Sequence, residues 1–156
     1  MSARDFFDSV RDAQDGIDKL LAILESMKSR ERVRTQRFDS IGGAAKGGLP
    51  HSFADATVRR IDSEQRILDE IARMSETVED GRELCEGVRA ANPTHQIWGA
   101  ILQMRYCENL PWSCIASAFD ISERRAHYEH DAALDWIDEV GMAAARSGCG
   151  QEQLQL

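Results

Sequence analysis

Residues 101–137, ILQMRYCENLPWSCIASAFDISERRAHYEHDAALDWI, decide the fold of this chain. Pro111 is suited to open a short helix, and Asp120 lies where that helix should end. Ser122 is suited to cap a second, longer helix that runs to about Val140. The residues able to close a core between the two helices are Trp112, Ile115, Ala116, Phe119, Ala126, Ala133, Leu134 and Ile137. The spacing predicts a helix-turn-helix.

A preceding helix completes this small domain. Asn92 is a favoured N-cap and Pro93 a favoured first helical residue, so we expect a helix over about 93–107. The predicted three-helix domain covers 92–141. The remaining 142–156 is rich in small and polar residues and is predicted to be a flexible tail.

The first half of the chain is predicted to be a long antiparallel helical hairpin over 1–91. Its helices cover about 3–37 and 52–90, and four glycines place a loop at 40–51. In the first helix, steps of four and three separate the apolar residues Phe6, Val10, Ala13, Ile17, Leu20, Leu24 and Met27. In the second, the apolar face is expected to include Val58, Ile61, Leu68, Ile71, Met74, Val78, Cys85 and Val88, with bending or fraying at Gly81 and Gly87. Because two helices bury little surface, we expect a homodimer or a higher oligomer, with a self-contained coiled coil as the alternative.

Composition indicates an all-α, cytoplasmic protein. We find no alternation of apolar and polar residues long enough for a strand, and no apolar run approaches the roughly 20 residues that cross a bilayer. The net charge of −8 disfavours general adhesion to anionic membranes. Four cysteines without a C-x-x-C pair favour a reduced compartment.

A basic segment interrupts this acidic chain at 28–37, where five cations accompany the single acidic residue Glu31. The cations are Lys28, Arg30, Arg32, Arg34 and Arg37. They are placed to meet the negative end of the first helix dipole, or to form an arm that contacts phosphates. The sequence leaves both interpretations open.

The C-terminal half resembles region four of primary sigma factors, and nearly the full length up to about Gly141 resembles phage regulators of the ArpU and RinA type. The matching residues are Ile101, Leu102, Arg105, Tyr106, Trp112, Ile115, Ala116, Ser122, Arg124, His127, His130, Ala133 and Leu134. The resemblance implies a phage or prophage transcriptional regulator in the cytoplasm of a bacterial host. It also implies promoter DNA as partner, with RNA polymerase as a second one.

Carried onto this chain, the resemblance places the recognition surface at the start of the last long helix. The implied DNA-binding residues are Ser122, Glu123, Arg124, Arg125, His127 and Tyr128, with Asp131 at the margin. Arg124 is the best base reader, because arginine to guanine is the commonest specific contact.

Charge argues against simple DNA binding. Segment 93–140 has three Arg, no Lys and eight Asp or Glu, and Glu129 stands where the phage family tends to have an apolar residue. A dimer whose basic segments supply phosphate contacts resolves this conflict, and so does an acidic module that docks on RNA polymerase or sigma factor. A third alternative is a small terminase-like packaging subunit, for which a ring of eight or more copies is expected.

Metal and catalytic sites are not expected. Cys107, Cys114, His127 and His130 suggest a zinc site, but their spacing departs from that of common zinc fingers. The acidic residues are scattered, and no nucleophile is paired with a base. The sequence therefore predicts neither an enzyme nor a cofactor.

Overall fold

The described part of the chain is built from α-helices. The computed structural model describes residues 1–40 and 51–148, and the side-chain surroundings of 1–37 and 54–148. Within these ranges there is no β-strand, and none of the helices has the length and apolar character needed to cross a bilayer. The helices are α1 (Ala3–Ser40), α2 (His51–Ala91), α3 (Gln96–Leu102), α4 (Trp112–Ala118), α5 (Glu123–Val140) and α6 (Met142–Arg146). The predicted all-α class is confirmed, whereas most of the predicted Gly-rich loop lies outside the described residues.

The predicted helix over 93–107 consists of three different pieces. A 3₁₀ turn at Pro93–His95 leads into α3, and a π-helical turn at Gln103–Cys107 follows it. Asn92 precedes the 3₁₀ turn, but its side chain does not cap it. The Asn92 Nδ2 donates instead to the Val88 carbonyl at 2.9 Å. Asn92 therefore closes the end of α2, in contrast to the N-cap role predicted for it.

Two compact units divide the chain. The first contains Met1–Asp15 and Met74–Leu156, and the second contains Gly16–Arg73. The first unit is wider than the predicted domain 92–141, because residues from both long helices enter its core. Phe7 of α1 is fully buried, and its ring centroid lies 5.1 Å from that of Tyr106. From α2, the core takes Val78, Leu84, Cys85 and Val88.

Close helix approaches in the first unit depend on glycines. A Cβ added to Gly81 of α2 would lie 2.7 Å and 2.9 Å from the two γ-methyl groups of Val10. A Cβ on Gly99 of α3 would lie 2.6 Å from the Cys85 carbonyl oxygen, and one on Gly87 would overlap the backbone of Ala145. The sequence predicts bending or fraying at Gly81 and Gly87. The structure has an unbroken α2 there, and these glycines admit a neighbouring segment.

The sequence predicts a flexible tail from residue 142, whereas the structure has α6 at Met142–Arg146. Ala145 of this helix is fully buried, and the missing side chain of Gly87 leaves room for its backbone. The turn into α6 is made at Gly141, whose φ of 89° suits glycine. Residues 149–156 of the predicted tail lie outside the described residues.

Few of the apolar side chains that the structure describes in the second unit are buried. Ile17 and Leu24 are buried on the predicted seam of α1, and Glu31 of α1 pairs with Arg60 of α2 at 2.6 Å. The apolar face predicted for α2 was expected to be buried, but Val58, Ile61 and Leu68 in the first half of that helix are about half exposed. Among residues 16–37 and 54–73, the aliphatic residues that are about half exposed or more are Leu21, Ile23, Val33, Val58, Ile61 and Leu68.

Candidate nucleic-acid interface

The turn between α4 and α5 is fixed by local hydrogen bonds. After α4, Asp120 takes a left-handed conformation with φ of 52°, which aspartate tolerates better than most residues. The Ile121 N–H then donates to the Ala116 carbonyl at 3.1 Å. Ser122 is extended, and its hydroxyl accepts from the Arg125 N–H at 3.1 Å. The predicted N-cap at Ser122 is confirmed, and it fixes where α5 begins.

A small apolar core holds α4 and α5 together beneath this turn. Ile101, Ile115, Ala116 and Ala126 are buried in it. Because Ala116 and Ala126 are small, the two helices come close enough for the partly buried neighbours to close the cluster. These neighbours are Ile97, Met104, Leu110, Trp112, Phe119 and Ile121. Because Ala126 is buried in this core, the first turns of α5 are held in place against α4.

The outward face at the start of α5 carries most of the predicted recognition residues. Glu123, Arg124, His127 and Tyr128 are exposed, and the Tyr128 side chain is 65% exposed. Arg124 forms no ion pair or side-chain hydrogen bond with any residue in the described ranges. Its guanidinium is therefore available to a partner.

Arg125 is engaged within the protein. Its Nη2 lies 2.5 Å from Glu129 Oε1, and its guanidinium carbon lies 5.3 Å from the Tyr128 ring centroid. The Glu129 side chain is only 8% exposed, and its other oxygen accepts from the Trp98 indole N–H at 2.7 Å. A buried carboxylate needs such partners, because its desolvation is otherwise uncompensated. Arg125 therefore neutralises Glu129.

Two histidines of α5 have different surroundings. The exposed His127 ring lies against Trp112 at a centroid distance of 3.9 Å. His130 is buried between the Tyr106 hydroxyl at 2.7 Å and Asp131 Oδ1 at 2.9 Å. Burial lowers the pKa of His130, although the hydrogen bond to the Asp131 carboxylate acts in the opposite direction. Neutral His130 thus links α5 to the π-helical turn at Gln103–Cys107, which contains Tyr106.

Sequence reasoning missed the role of the first residues of the chain. Arg4 Nη2 lies 3.2 Å from Asp131 Oδ1, and the backbone N–H of Ala3 donates to Asp138 at 2.7 Å. Arg11 donates to the Asn109 side chain at 3.1 Å. The start of α1 therefore contacts α5 and the turn before α4. The sequence contains one signal of this role, because Phe6 and Phe7 are adjacent at the start of an otherwise charged helix. Two neighbouring phenylalanines indicate that more than one side of the helix is covered there.

The predicted phosphate-contacting residues belong to the second unit. Exposed positions on α1 are occupied by Lys28, Arg30, Arg32, Arg34 and Arg37. Arg30 and Arg34 line a cleft of about 530 Å³ together with Arg60 and the apolar residues Met27 and Val33. This unit is distinct from the compact unit that contains α5.

The residues of the zinc alternative do not form a site. Cys107 is buried against Cys85, whereas Cys114 is exposed on α4. Within 1–40 and 51–148, no group of three or more His, Cys, Asp or Glu residues is arranged to hold a metal ion. The start of α5 instead presents the unpaired Arg124 guanidinium and the exposed rings of His127 and Tyr128 above a packed core.

No protein-family model, curated protein or solved structure matches this chain.

Proposed function

We propose that this chain is a phage or prophage transcriptional regulator that binds promoter DNA through α4 and α5. The observation that carries the proposal is the exposed start of α5, capped by Ser122, where Arg124 has no partner inside the described protein. In a helix-turn-helix, the first turns of the second helix meet base edges in the major groove. We place the protein in the cytoplasm of the bacterial host, where such DNA is found.

Arg124 is assigned the base-reading role. A guanidinium that donates to guanine O6 and N7 discriminates by about 1–3 kcal/mol against the wrong base. His127 and Tyr128 flank it and are suited to contact the sugar–phosphate backbone. Arg125 contributes less charge than the sequence suggests, because Glu129 neutralises it. Specificity is therefore expected to depend mainly on Arg124.

Phosphate contacts are assigned to the basic segment of α1. Segment 93–140 has three cations in 48 residues, whereas 28–37 carries five within ten residues. Each phosphate that a cation neutralises makes binding weaker at higher salt, with a slope of about −0.9 per contact on a log–log plot. Replacing Lys28, Arg30 and Arg32 by Gln should reduce that slope without changing the preferred sequence.

Selection from a random duplex library, followed by titration of the recovered DNA, tests the proposal. Arg124→Ala should weaken binding to the selected duplex by about 5- to 150-fold and relax the preference at one base pair. Arg82→Ala is the matched control, because Arg82 is an exposed arginine on α2. The proposal fails if no duplex is enriched at low salt, or if the two variants bind equally well.

A protein-docking function is the second candidate, favoured by the pairing of Arg125 with Glu129 in a segment that is five charges negative. In this case α5 binds RNA polymerase or sigma factor. Glu129→Gln separates the two functions, because glutamine still accepts from Trp98 while Arg125 is released. DNA binding predicts tighter binding of this variant to DNA and a salt slope about one contact steeper. Protein docking predicts no gain for DNA, and retention of RNA polymerase by the parent chain.

We propose that the second unit mediates self-association with another copy of this chain. Val58, Ile61 and Leu68 are between 48% and 57% exposed, although they follow one helix at spacings typical of a buried face. Leu68→Lys should shift a dimer toward monomer in sedimentation velocity, while Arg73→Lys leaves it unchanged. A ring of eight or more copies would instead favour the terminase-like packaging subunit.

A further inference from the structure

Cys85 and Cys107 form a buried pair that the proposed function does not use. Cys85 lies on α2 and is fully buried, and Cys107 is the last residue of the π-helical turn. The side chains of Cys85 and Cys107 interact with each other. The Cys107 Sγ also lies 4.0 Å from the carbonyl oxygen of Val78, a residue on the same face of α2 as Cys85.

A glycine makes room for this contact. Gly81 is one helical turn before Cys85, and a Cβ added there would lie 3.4 Å from Cys107 Sγ. Side chains on a helix lean toward the preceding turn, so the thiol of Cys85 leans toward Gly81. The Cys107 sulfur thus occupies the space into which the Cys85 thiol leans.

The backbone at Cys107 is irregular. The next residue, Glu108, donates its N–H to the Gln103 carbonyl at 3.1 Å, and Asn109 then takes a φ of 56°. A disulfide requires a sulfur–sulfur distance of about 2 Å and a Cβ–Cβ distance of about 4 Å. We expect rotation of the Cys107 side chain to bring the sulfur atoms together, because Cys107 ends a turn whereas Cys85 lies inside α2.

We propose that Cys85 and Cys107 form a reversible disulfide site that a peroxide oxidises. The Cys107 thiolate attacks one peroxide oxygen, the O–O bond breaks, and a sulfenic acid and water form. The Cys85 sulfur then attacks the Cys107 sulfur and displaces the hydroxyl, which leaves as a second water with the Cys85 proton. The two thiols lose two electrons and two protons, and the peroxide gains them.

Each thiol affects the pKa of the other. The interaction with Cys85 lowers the pKa of Cys107, against the raising effect of burial. The interaction with Cys107 and burial both raise the pKa of Cys85. The attack is assigned to Cys107 because it ends the π-helical turn beside the exposed Glu108, whereas Cys85 is fully buried inside α2 and resolves the sulfenic acid.

The disulfide would tie α2 to the segment that precedes α4. Cross-linking two positions restricts the unfolded chain and leaves the folded contacts largely unchanged. Oxidation should therefore raise the urea concentration at which the first unit unfolds. A thiol reductant should reverse the shift.

The test uses the full chain with Cys114→Ser and Cys149→Ser, which leaves only the proposed pair. The reduced protein is treated with hydrogen peroxide under native conditions, alkylated with maleimide in denaturant, digested and analysed by mass spectrometry. The expected product is a peptide pair linked through Cys85 and Cys107, lighter by two hydrogen atoms and restored by dithiothreitol. Cys85→Ala in the same background should give no linked product.

Two results would overturn the proposal. In the first, both cysteines of the oxidised protein still react with maleimide once it is denatured. In the second, Cys107 proceeds to sulfinic acid while Cys85 keeps a free thiol. Both are measured on the chain that retains the pair, so they remain decisive if Cys85→Ala does not fold.

Discussion

Gly99→Ala should destabilise the first unit, although alanine forms helices better than glycine. Gly99 is buried inside α3, and an added Cβ would lie 2.6 Å from the Cys85 carbonyl oxygen and 3.1 Å from the Arg89 Cβ. Ordinary contact begins at 3.4 Å. The nearest obstacle is backbone, so no flexible side chain can simply turn away. The variant can fold only if α3 moves away from α2.

The expected loss is the difference between two opposing effects. Replacing an interior glycine of a helix by alanine gains about 1 kcal/mol. Overpacking a well-packed core costs about 1–3 kcal/mol, and a backbone obstacle places Gly99 near the upper end of that range. The free energy of unfolding should therefore fall by about 2 kcal/mol. For a unit of roughly 100 residues, that lowers the melting temperature by about 8–16 °C.

Far-UV circular dichroism during thermal and urea unfolding measures this loss. Ala100→Gly is the control, because it changes helix propensity at the adjacent position of α3 and adds no atom. The control should lose about 1 kcal/mol. If Gly99→Ala unfolds at or above the midpoint of the parent chain, helix propensity outweighs packing and the close approach of α2 and α3 is refuted.

Three further predictions concern the same unit. Gly81→Ala and Val10→Ala should each lower the free energy of unfolding. The loss in the double variant should be smaller than the sum of the two single losses by about 0.5–3 kcal/mol, because Val10→Ala empties the space that the new Cβ needs. Additive losses in urea unfolding would refute this contact. Ser122→Ala should cost about 1 kcal/mol in the same assay and Ser122→Asp much less, because only alanine removes the cap of α5; equal losses would exclude the cap. Burial lowers the pKa of His130, against the effect of Asp131, so the unfolded chain binds the proton more readily. The free energy of unfolding should therefore decrease as pH falls through about 6.5, the histidine pKa of the unfolded chain. His130→Gln should make the urea midpoint depend less on pH between about pH 5 and 7.5. The same pH dependence in the parent and in His130→Gln would contradict this.

The α4–turn–α5 segment was predictable because its signals are local. Pro111 directly precedes α4, and Ser122 caps α5 through its hydroxyl. The small Ala116 and Ala126 fall where two helices must approach. Such signals depend on neighbouring residues alone, so a single sequence contains them.

The remainder of the first unit was not predictable from local patterns. Propensity treats Gly81, Gly87 and Gly99 as weak points, whereas the structure uses their missing side chains for contacts between distant segments. A single sequence does not say which segment fills the space beside a glycine. The contact between Phe7 and Tyr106 is equally non-local, since each residue alone indicates only burial.

The position of Glu129 in the sequence indicates burial, although a count of charges treats it only as one more acidic residue. It lies three residues after Ala126 and four before Ala133, so it belongs to the inner face of α5. A carboxylate at such a position needs donors, and Arg125 one turn earlier is the obvious one. Periodicity thus predicts a buried, paired Glu129, whereas composition predicts an acidic flank.

The charge that a partner meets on α5 therefore differs from the charge of segment 93–140. Glu129 is compensated by Arg125, and Asp131 by Arg4, which lies outside that segment. The exposed carboxylates Asp135, Asp138 and Glu139 all fall in the second half of the helix. A helix that enters the major groove presents its first turns to the bases. In those turns Glu123 is the one exposed carboxylate beside the unpaired Arg124, so the acidity of the domain does not by itself exclude a DNA contact there.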